Sequence, residues 1–224
     1  MKTKGNSDNL TSREMRDYYD ARFAQRPLRA REGFYEWLAR RTVPPEGSRV
    51  LDIGCGGGYL LGKLEGRGLK LFGCDLSGEA LSTAAREAPD ARFAVTDAEK
   101  LSYPGGTFDV AYNLGSLEHF LDMKAALEEM RRVLRPEGRA VVMVPNSLYA
   151  GDLWRKVTFR GGGDHHQLLE RFGSLGEWSE LLESGGFRIV KVFPYNKFRR
   201  RMRIVPLRYA YCFVFDCAVS EDKD

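Results

Sequence analysis

Residues 50–58 read Val-Leu-Asp-Ile-Gly-Cys-Gly-Gly-Gly, and Asp75 follows twenty-one residues after Gly54. The apolar run Arg49 to Ile53 reads as a buried parallel strand. It carries Asp52 and runs into Gly54, Gly56, Gly57 and Gly58. Tyr59 to Glu65 then reads as a helix. Strand, glycine turn, helix is an arrangement in which backbone amides approach a ligand closely, because no Cβ intervenes. Asp75 closes a second apolar run, Lys70 to Cys74. A carboxylate at the tip of the second strand of a βαβ unit accepts hydrogen bonds from both ribose hydroxyls. The pattern therefore points to an adenosine-containing cofactor; a plain tight turn is the alternative reading of the glycines.

The type of cofactor follows from what departs from the dinucleotide pattern. That pattern wants G-x-G-x-x-G. Gly54 and Gly56 supply the first two glycines, but Tyr59 stands where the third belongs. Asp52, beside the turn, repels a pyrophosphate. It suits a ligand with an ammonium and a sulfonium, which is S-adenosylmethionine.

The candidate proton-transfer groups are the three histidines, His119, His165 and His166. A hydroxyl nucleophile gains from a general base, typically by a factor of about a hundred to ten thousand. His119, in Leu117-Glu118-His119 just past a strand, is the first candidate, since a histidine is neutral enough near pH 7 to accept a proton. The other reading, that His119 bonds a loop or shapes a pocket, stays open. His165 or His166 is a candidate second base. Asp164-His165-His166 with Glu170 is a poor metal set, because the ligands adjoin in sequence and no cysteine joins them. No metal is expected.

These residues need elements to position them. Thr11 to Arg22 and Arg31 to Arg41 read as helices, the second stopped by Pro44-Pro45, after a polar and frayed Met1 to Leu10. Strands are expected at 49–53, 70–74, 92–95, 108–113, 139–144, 187–193 and 209–219. Helices follow Ser77, span Met123 to Leu134, and span Leu175 to Ser184. Strands alternating with helices predict an α/β fold with a doubly wound, mostly parallel sheet. The last two strands lack an intervening helix and should pair antiparallel. The chain of 224 residues is long enough for one sizeable core. No signal peptide or membrane-spanning segment is read. Cys55, Cys74, Cys212 and Cys217 form no metal or redox spacing, which favours a reducing, cytoplasmic location. A net charge of +4 is too small to indicate nucleic acid.

Six segments in order carry a family resemblance: Val50 to Gly58, Gly73-Cys-Asp-Leu-Ser77, Thr96-Asp-Ala98, Phe108-Asp-Val-Ala-Tyr-Asn113, Leu117-Glu-His119 and Val133-Leu-Arg-Pro-Glu-Gly138. Across Tyr18 to Val192 the chain resembles the class I S-adenosylmethionine-dependent methyltransferases. It is similar to the small-molecule subgroup that includes ubiquinone-biosynthesis O-methyltransferases. The resemblance implies a Rossmann-like sheet of seven strands in the order 3-2-1-4-5-7-6, with strand 7 antiparallel, and one domain over 1–224. It implies a cofactor set of Asp52, Gly54, Cys55, Gly56, Gly58, Asp75, Leu76, Asp97, Ala98, Asn113 and Leu114. In that set Asp97 and Ala98 meet adenine, while Asn113 and Leu114 flank the methionine and sulfonium.

Residues 1–45 are then an N-terminal helical cap. Residues 146–172 form an insertion too long for a simple loop, rich in aromatic residues and arginine, and are expected to act as a substrate lid. The expected reaction is methylation of a small-molecule hydroxyl. Lys197-Phe-Arg-Arg-Arg-Met-Arg203 reads as a solvated basic loop, with contact to an anionic substrate, peripheral contact to a phospholipid membrane surface, or contact to RNA as its functional readings. Two other classes remain. An RNA or DNA methyltransferase is disfavoured because Leu114-Gly115-Ser116, rather than Pro-Pro-aromatic, follows Asn113. A non-catalytic S-adenosylmethionine-binding protein is disfavoured less strongly. Oligomeric state and acceptor identity are not encoded in any motif.

Overall fold

The computed structural model describes residues 1–4, 10–25, 33–149, 167–196 and 206–220. Nine strands are found among them: β1 (Lys2–Lys4), β2 (Arg49–Ile53), β3 (Lys70–Asp75), β4 (Arg92–Val95), β5 (Phe108–Leu114), β6 (Leu134–Pro145), β7 (Glu170–Phe172), β8 (Phe187–Tyr195) and β9 (Cys212–Val219). The helices are α1 (Ser12–Gln25), α2 (Phe34–Arg41), α3 (Tyr59–Leu64), α4 (Gly78–Glu87), α5 (Met123–Val133) and α6 (Leu175–Ser184).

Seven strands form one sheet in the order β4-β3-β2-β5-β6-β9-β8. In sequence order these are the expected strands 3-2-1-4-5-7-6. β2, β3, β4, β5 and β6 run parallel, and β9 is antiparallel to both β6 and β8. The central strands are buried on both faces, and alternate residues feed two cores. Leu51, Ala111, Val142 and Phe215 pack with Leu127 and Met130 of α5 and Trp178 and Leu182 of α6. Val50, Val110, Val141 and Val214 pack with Leu38 of α2, Leu60 and Leu61 of α3 and Ala84 of α4. Helices on both faces bury what a parallel sheet cannot leave in water.

Local chemistry fixes the helix starts that matter to the cleft. The Ser77 hydroxyl accepts from the Ala80 amide at 3.1 Å and caps α4. Asp122 accepts from the Lys124 and Ala125 amides and caps α5. Ser174 and Glu177 form a reciprocal capping box on α6.

Three expectations need correction. Lys2–Lys4 is not frayed; it pairs antiparallel with β7, Lys2 opposite Phe172. A distant partner supplies hydrogen bonds that the local sequence does not advertise. The fifth strand of the sheet begins at Leu134 rather than Arg139, and a register shift between Phe108 and Val110 of β5 absorbs the Arg135-to-Gly138 run. The last strand begins at Cys212, because Leu207–Tyr209 after Pro206 forms a single 3-10 turn. Among the described residues no helix is long and apolar enough to cross a membrane, and all four cysteines are buried and outside disulfides.

Candidate active site

The carboxyl ends of β2, β3 and β5 meet where the strand order reverses, the usual ligand position in an open α/β sheet. A cavity of about 450 Å³ lies there, within the range of small-ligand sites. Its walls include Asp52, Gly54, Cys55 and Gly56 after β2, Asp75 and Leu76 after β3, Asp97 and Ala98 after β4, and Leu114 and His119 after β5.

The glycine turn is shaped by its own hydrogen bonds. The Gly54 and Cys55 amides both donate to the Cys74 carbonyl, at 2.8 and 3.0 Å, and Gly58 donates to the Cys55 carbonyl at 3.0 Å. The Gly56 amide donates to Asp75 Oδ2 at 2.8 Å. Four amides of the turn are thus spent inside the protein, and a pyrophosphate would find none of them. This corrects the expectation that these amides face the ligand. The turn contributes close approach rather than a row of donors.

Gly54 has φ +69°, and a Cβ there would lie 2.5 Å from Ser116 Oγ. Gly54→Ala should therefore cost about 1–3 kcal/mol of stability through left-handed strain and the clash, read as a lowered denaturant midpoint at unchanged slope. Gly58, at φ +73°, would place a Cβ 2.9 Å from the Ala84 Cα of α4. It does the helix-packing work that the dinucleotide pattern assigns to a glycine one position later.

Asp75 holds the turn and keeps capacity for a ligand. Its Oδ1 accepts from the Ser77 amide at 2.9 Å and its Oδ2 from Gly56. A carboxylate has about four lone-pair sites, so room remains for a vicinal diol. Burial raises its pKa, and the Ser77 and Gly56 amides pull it back. Asp52 is 3 % exposed, and its Oδ1 has no hydrogen-bond partner among the described residues. Burial, with Asp75 nearby, pushes its pKa well above the usual carboxylate range. A cationic ligand compensates such a desolvated acid. Six carboxylates line the cavity (Asp52, Asp75, Asp97, Glu99, Glu118 and Glu170), and no lysine or arginine does among the described residues. This wall fits a sulfonium- and ammonium-bearing cofactor and opposes a diphosphate.

On the far side of β5, Leu117–His119 forms one 3-10 turn. The His119 Nδ1–H donates to the Leu169 carbonyl at 2.5 Å. A carbonyl only accepts, so Nδ1 carries the proton and the lone pair of the neutral ring sits on Nε2. Nε2 lies 3.7 Å from Glu118 Oε1. Met15, Tyr19 and Phe23 of α1 line the cavity, and the Tyr19 hydroxyl donates to Gln167 Oε1 at 2.9 Å. Asp20 ties α1 to the start of α4, accepting from the Ser77 hydroxyl at 2.6 Å. Aromatic rings of Phe34, Tyr35, Tyr59, Tyr195 and Tyr211 also line it.

Two expected cofactor residues sit elsewhere. Asn113 is fully buried; its Nδ2 donates to the Ile53 carbonyl at 3.2 Å and its Oδ1 accepts from the Leu117 amide at 2.9 Å. It braces the β2 tip against the 3-10 turn, and Leu114 rather than Asn113 reaches the cavity. Gly58 faces α4 and does not line it. Asp97 is on the wall, with Oδ1 accepting from the Glu99 amide at 3.0 Å in a turn. His165, His166 and Lys197 to Arg203 lie outside the described residues. Sequence reasoning missed Glu118 and Tyr19 as cavity residues. The signals were present: Glu118 adjoins His119, and Met15, Tyr19 and Phe23 recur every fourth residue on one helix face.

The methyltransferase-domain family matches residues 51–142. A 2-methyl-6-phytyl-1,4-hydroquinone methyltransferase of Synechocystis is 32% identical over 164 residues, 67% of this chain and 49% of that protein. A ubiquinone biosynthesis O-methyltransferase of Mesorhizobium japonicum is 34% identical over 136 residues, 59% of this chain and 50% of that protein. The chain thus spans about half the length of the curated relatives it matches. Among solved structures, the 1,6-didemethyltoxoflavin-N1-methyltransferase of Burkholderia thailandensis, with bound 1,6-didemethyltoxoflavin and S-adenosylhomocysteine, superposes with a TM-score of 0.63 at 23% identity, covering 92% of this chain and 84% of that one.

Sheet order and cleft define a Rossmann-like methyltransferase fold. Residues 51–142 match a methyltransferase domain, and the acidic, glycine-lined wall of the cleft fits S-adenosylmethionine as the cofactor.

Proposed function

We propose that the protein transfers a methyl group from S-adenosylmethionine to a hydroxyl of a small-molecule acceptor. One observation carries this reading: the acidic, glycine-lined wall and His119 share a single cavity. The cofactor supplies an already activated methyl group. The protein has to orient, exclude water and manage one proton.

Asp75 would hold the ribose through its remaining lone pairs, and Asp97 and Ala98 would meet the base. Asp52 would balance the positive charge. Leu114 and the Gly54 turn would pack against the methionine part. His119 Nε2, which carries the ring's lone pair in this tautomer, would take the acceptor's proton. His165 or His166 is a second candidate for that task. Residues 1–45 would act as a cap through α1 and α2, and 146–172 as a substrate lid, of which 150–166 lie outside the described residues; the rings of Tyr35, Tyr195 and Tyr211 suit an apolar or ring-bearing molecule. The Synechocystis relative is named for a hydroquinone, which lies in the same chemical range. Buried cysteines outside disulfides fit a cytoplasmic location.

The test is incubation with methyl-labelled S-adenosylmethionine and a panel of hydroquinones and phenols, followed by mass spectrometry. The expected product carries the label on oxygen. Label on nitrogen, or transfer to RNA and to no small molecule, would contradict the proposal.

A further inference from the structure

We infer that Glu118 and His119 form a pair that shares one proton, with Glu118 the positioning residue that decides when the His119 ring is open to accept another. The inference rests on the proposed hydroxyl chemistry, in which His119 Nε2 receives the acceptor's proton.

Both residues sit on the same 3-10 turn, and each is 5 % exposed. The Leu169 carbonyl commits Nδ1. Proton exchange is therefore left to Nε2, the nitrogen 3.7 Å from Glu118 Oε1. The other carboxylate oxygen, Oε2, is buried without a hydrogen-bond partner among the described residues. A buried, unsatisfied carboxyl is costly, and folds retain one where it has work to do.

Among the described residues that line the cavity, the titratable groups facing the pair are acidic or neutral, and Arg171 of β7 donates to the Phe120 and Leu121 carbonyls just past the turn. Glu170 approaches from β7 and Tyr19 from α1, and no lysine or arginine lines the cavity among the described residues. Nothing cationic on the described walls holds Glu118 ionised, so the imidazole is its natural counter-charge. Burial, reinforced by the Glu170 charge, lifts the Glu118 pKa to about 8.

Near neutral pH the pair then holds one proton, either on Glu118 beside a neutral ring or on His119 beside a carboxylate. Such sites titrate jointly. When that proton leaves to water, the pair carries a single negative charge. The acceptor's O–H bond then breaks, an N–H bond forms at Nε2, and the electron pair stays on the acceptor oxygen. The resulting imidazolium faces the Glu118 carboxylate, and the pair returns to neutrality.

The experiment is NMR titration of imidazole nitrogens in the labelled full chain, with the His119 signals assigned by their loss in His119→Gln. It needs neither acceptor nor cofactor, so its failure is separate from failure of the hydroxyl chemistry. The His119 midpoint should be at least about one pH unit higher in wild type than in Glu118→Gln, as for removal of an opposite charge within a few ångströms. Glu118→Asp, which keeps the carboxylate on a shorter stem, should fall between. Nδ1 should carry the proton in the neutral ring. Equal midpoints in wild type and Glu118→Gln, or a ring that never titrates in wild type, would overturn the inference. Should both variants lose the fold, wild type decides: a two-step response of the His119 shifts supports the pair, and a single step overturns it.

Discussion

Asp75→Ala should raise the dissociation constant for S-adenosylhomocysteine roughly ten- to a hundredfold, the loss expected when hydrogen bonds to a charged group are removed. Two effects add. The carboxylate has lone pairs left for the ribose after accepting from Gly56 and Ser77 at 2.8 and 2.9 Å. Those same two bonds hold the glycine turn to the β3 tip, so truncation leaves the Gly56 amide unpaired and loosens the turn. Asp75→Asn separates the contributions, because one oxygen remains to accept. It should lose less affinity than alanine. Calorimetry with S-adenosylhomocysteine reads both variants, and circular dichroism checks that the fold survives. An affinity unchanged in Asp75→Ala would remove Asp75 from the ribose site.

His119→Ala should lower turnover at least tenfold, and by up to about a thousandfold or more if proton removal limits the reaction, the range expected for a general base. Cofactor affinity should stay within about twofold, because the lost interaction is one made in the transition state. The structural basis is the tautomer: Nδ1 donates to the Leu169 carbonyl, which places the neutral ring's lone pair on Nε2. A ring that only shaped the pocket would raise KM and leave kcat nearly intact. Full activity in the variant would show that another group takes the proton, or that none is needed.

The sheet and cofactor wall were legible in the sequence because their signals are local. The first three strands of the sheet, 49–53, 70–75 and 92–95, are largely apolar runs that carry or lead into an acid, and Asp52, Asp75 and Asp97 all fall on the cavity wall. The order of the seven strands followed from the family resemblance. What failed to show depends on contacts between distant segments. β1 is three polar residues that become a strand only because Glu170–Phe172 lies beside them. Asn113 sits at the tip of β5 as expected, but strand alternation turns its amide toward the Ile53 carbonyl and Leu117, and Leu114 takes the cavity side. The spent amides of the glycine turn were equally invisible, since their acceptors are the Cys74 carbonyl and the Asp75 carboxylate of another strand. Glu118 stands out in the sequence only as the neighbour of His119. Its unusual chemistry comes from burial within the fold, with Glu170 of β7 close to it.

The most direct measurement is calorimetric titration of the intact chain with S-adenosylhomocysteine and, separately, with NAD. The carboxylates on the cavity wall, the orphaned Asp52 oxygen and a turn whose amides are already paired predict binding of S-adenosylhomocysteine at one site, with no detectable heat from NAD. Tight NAD binding with no S-adenosylhomocysteine binding would contradict the assignment of this cleft.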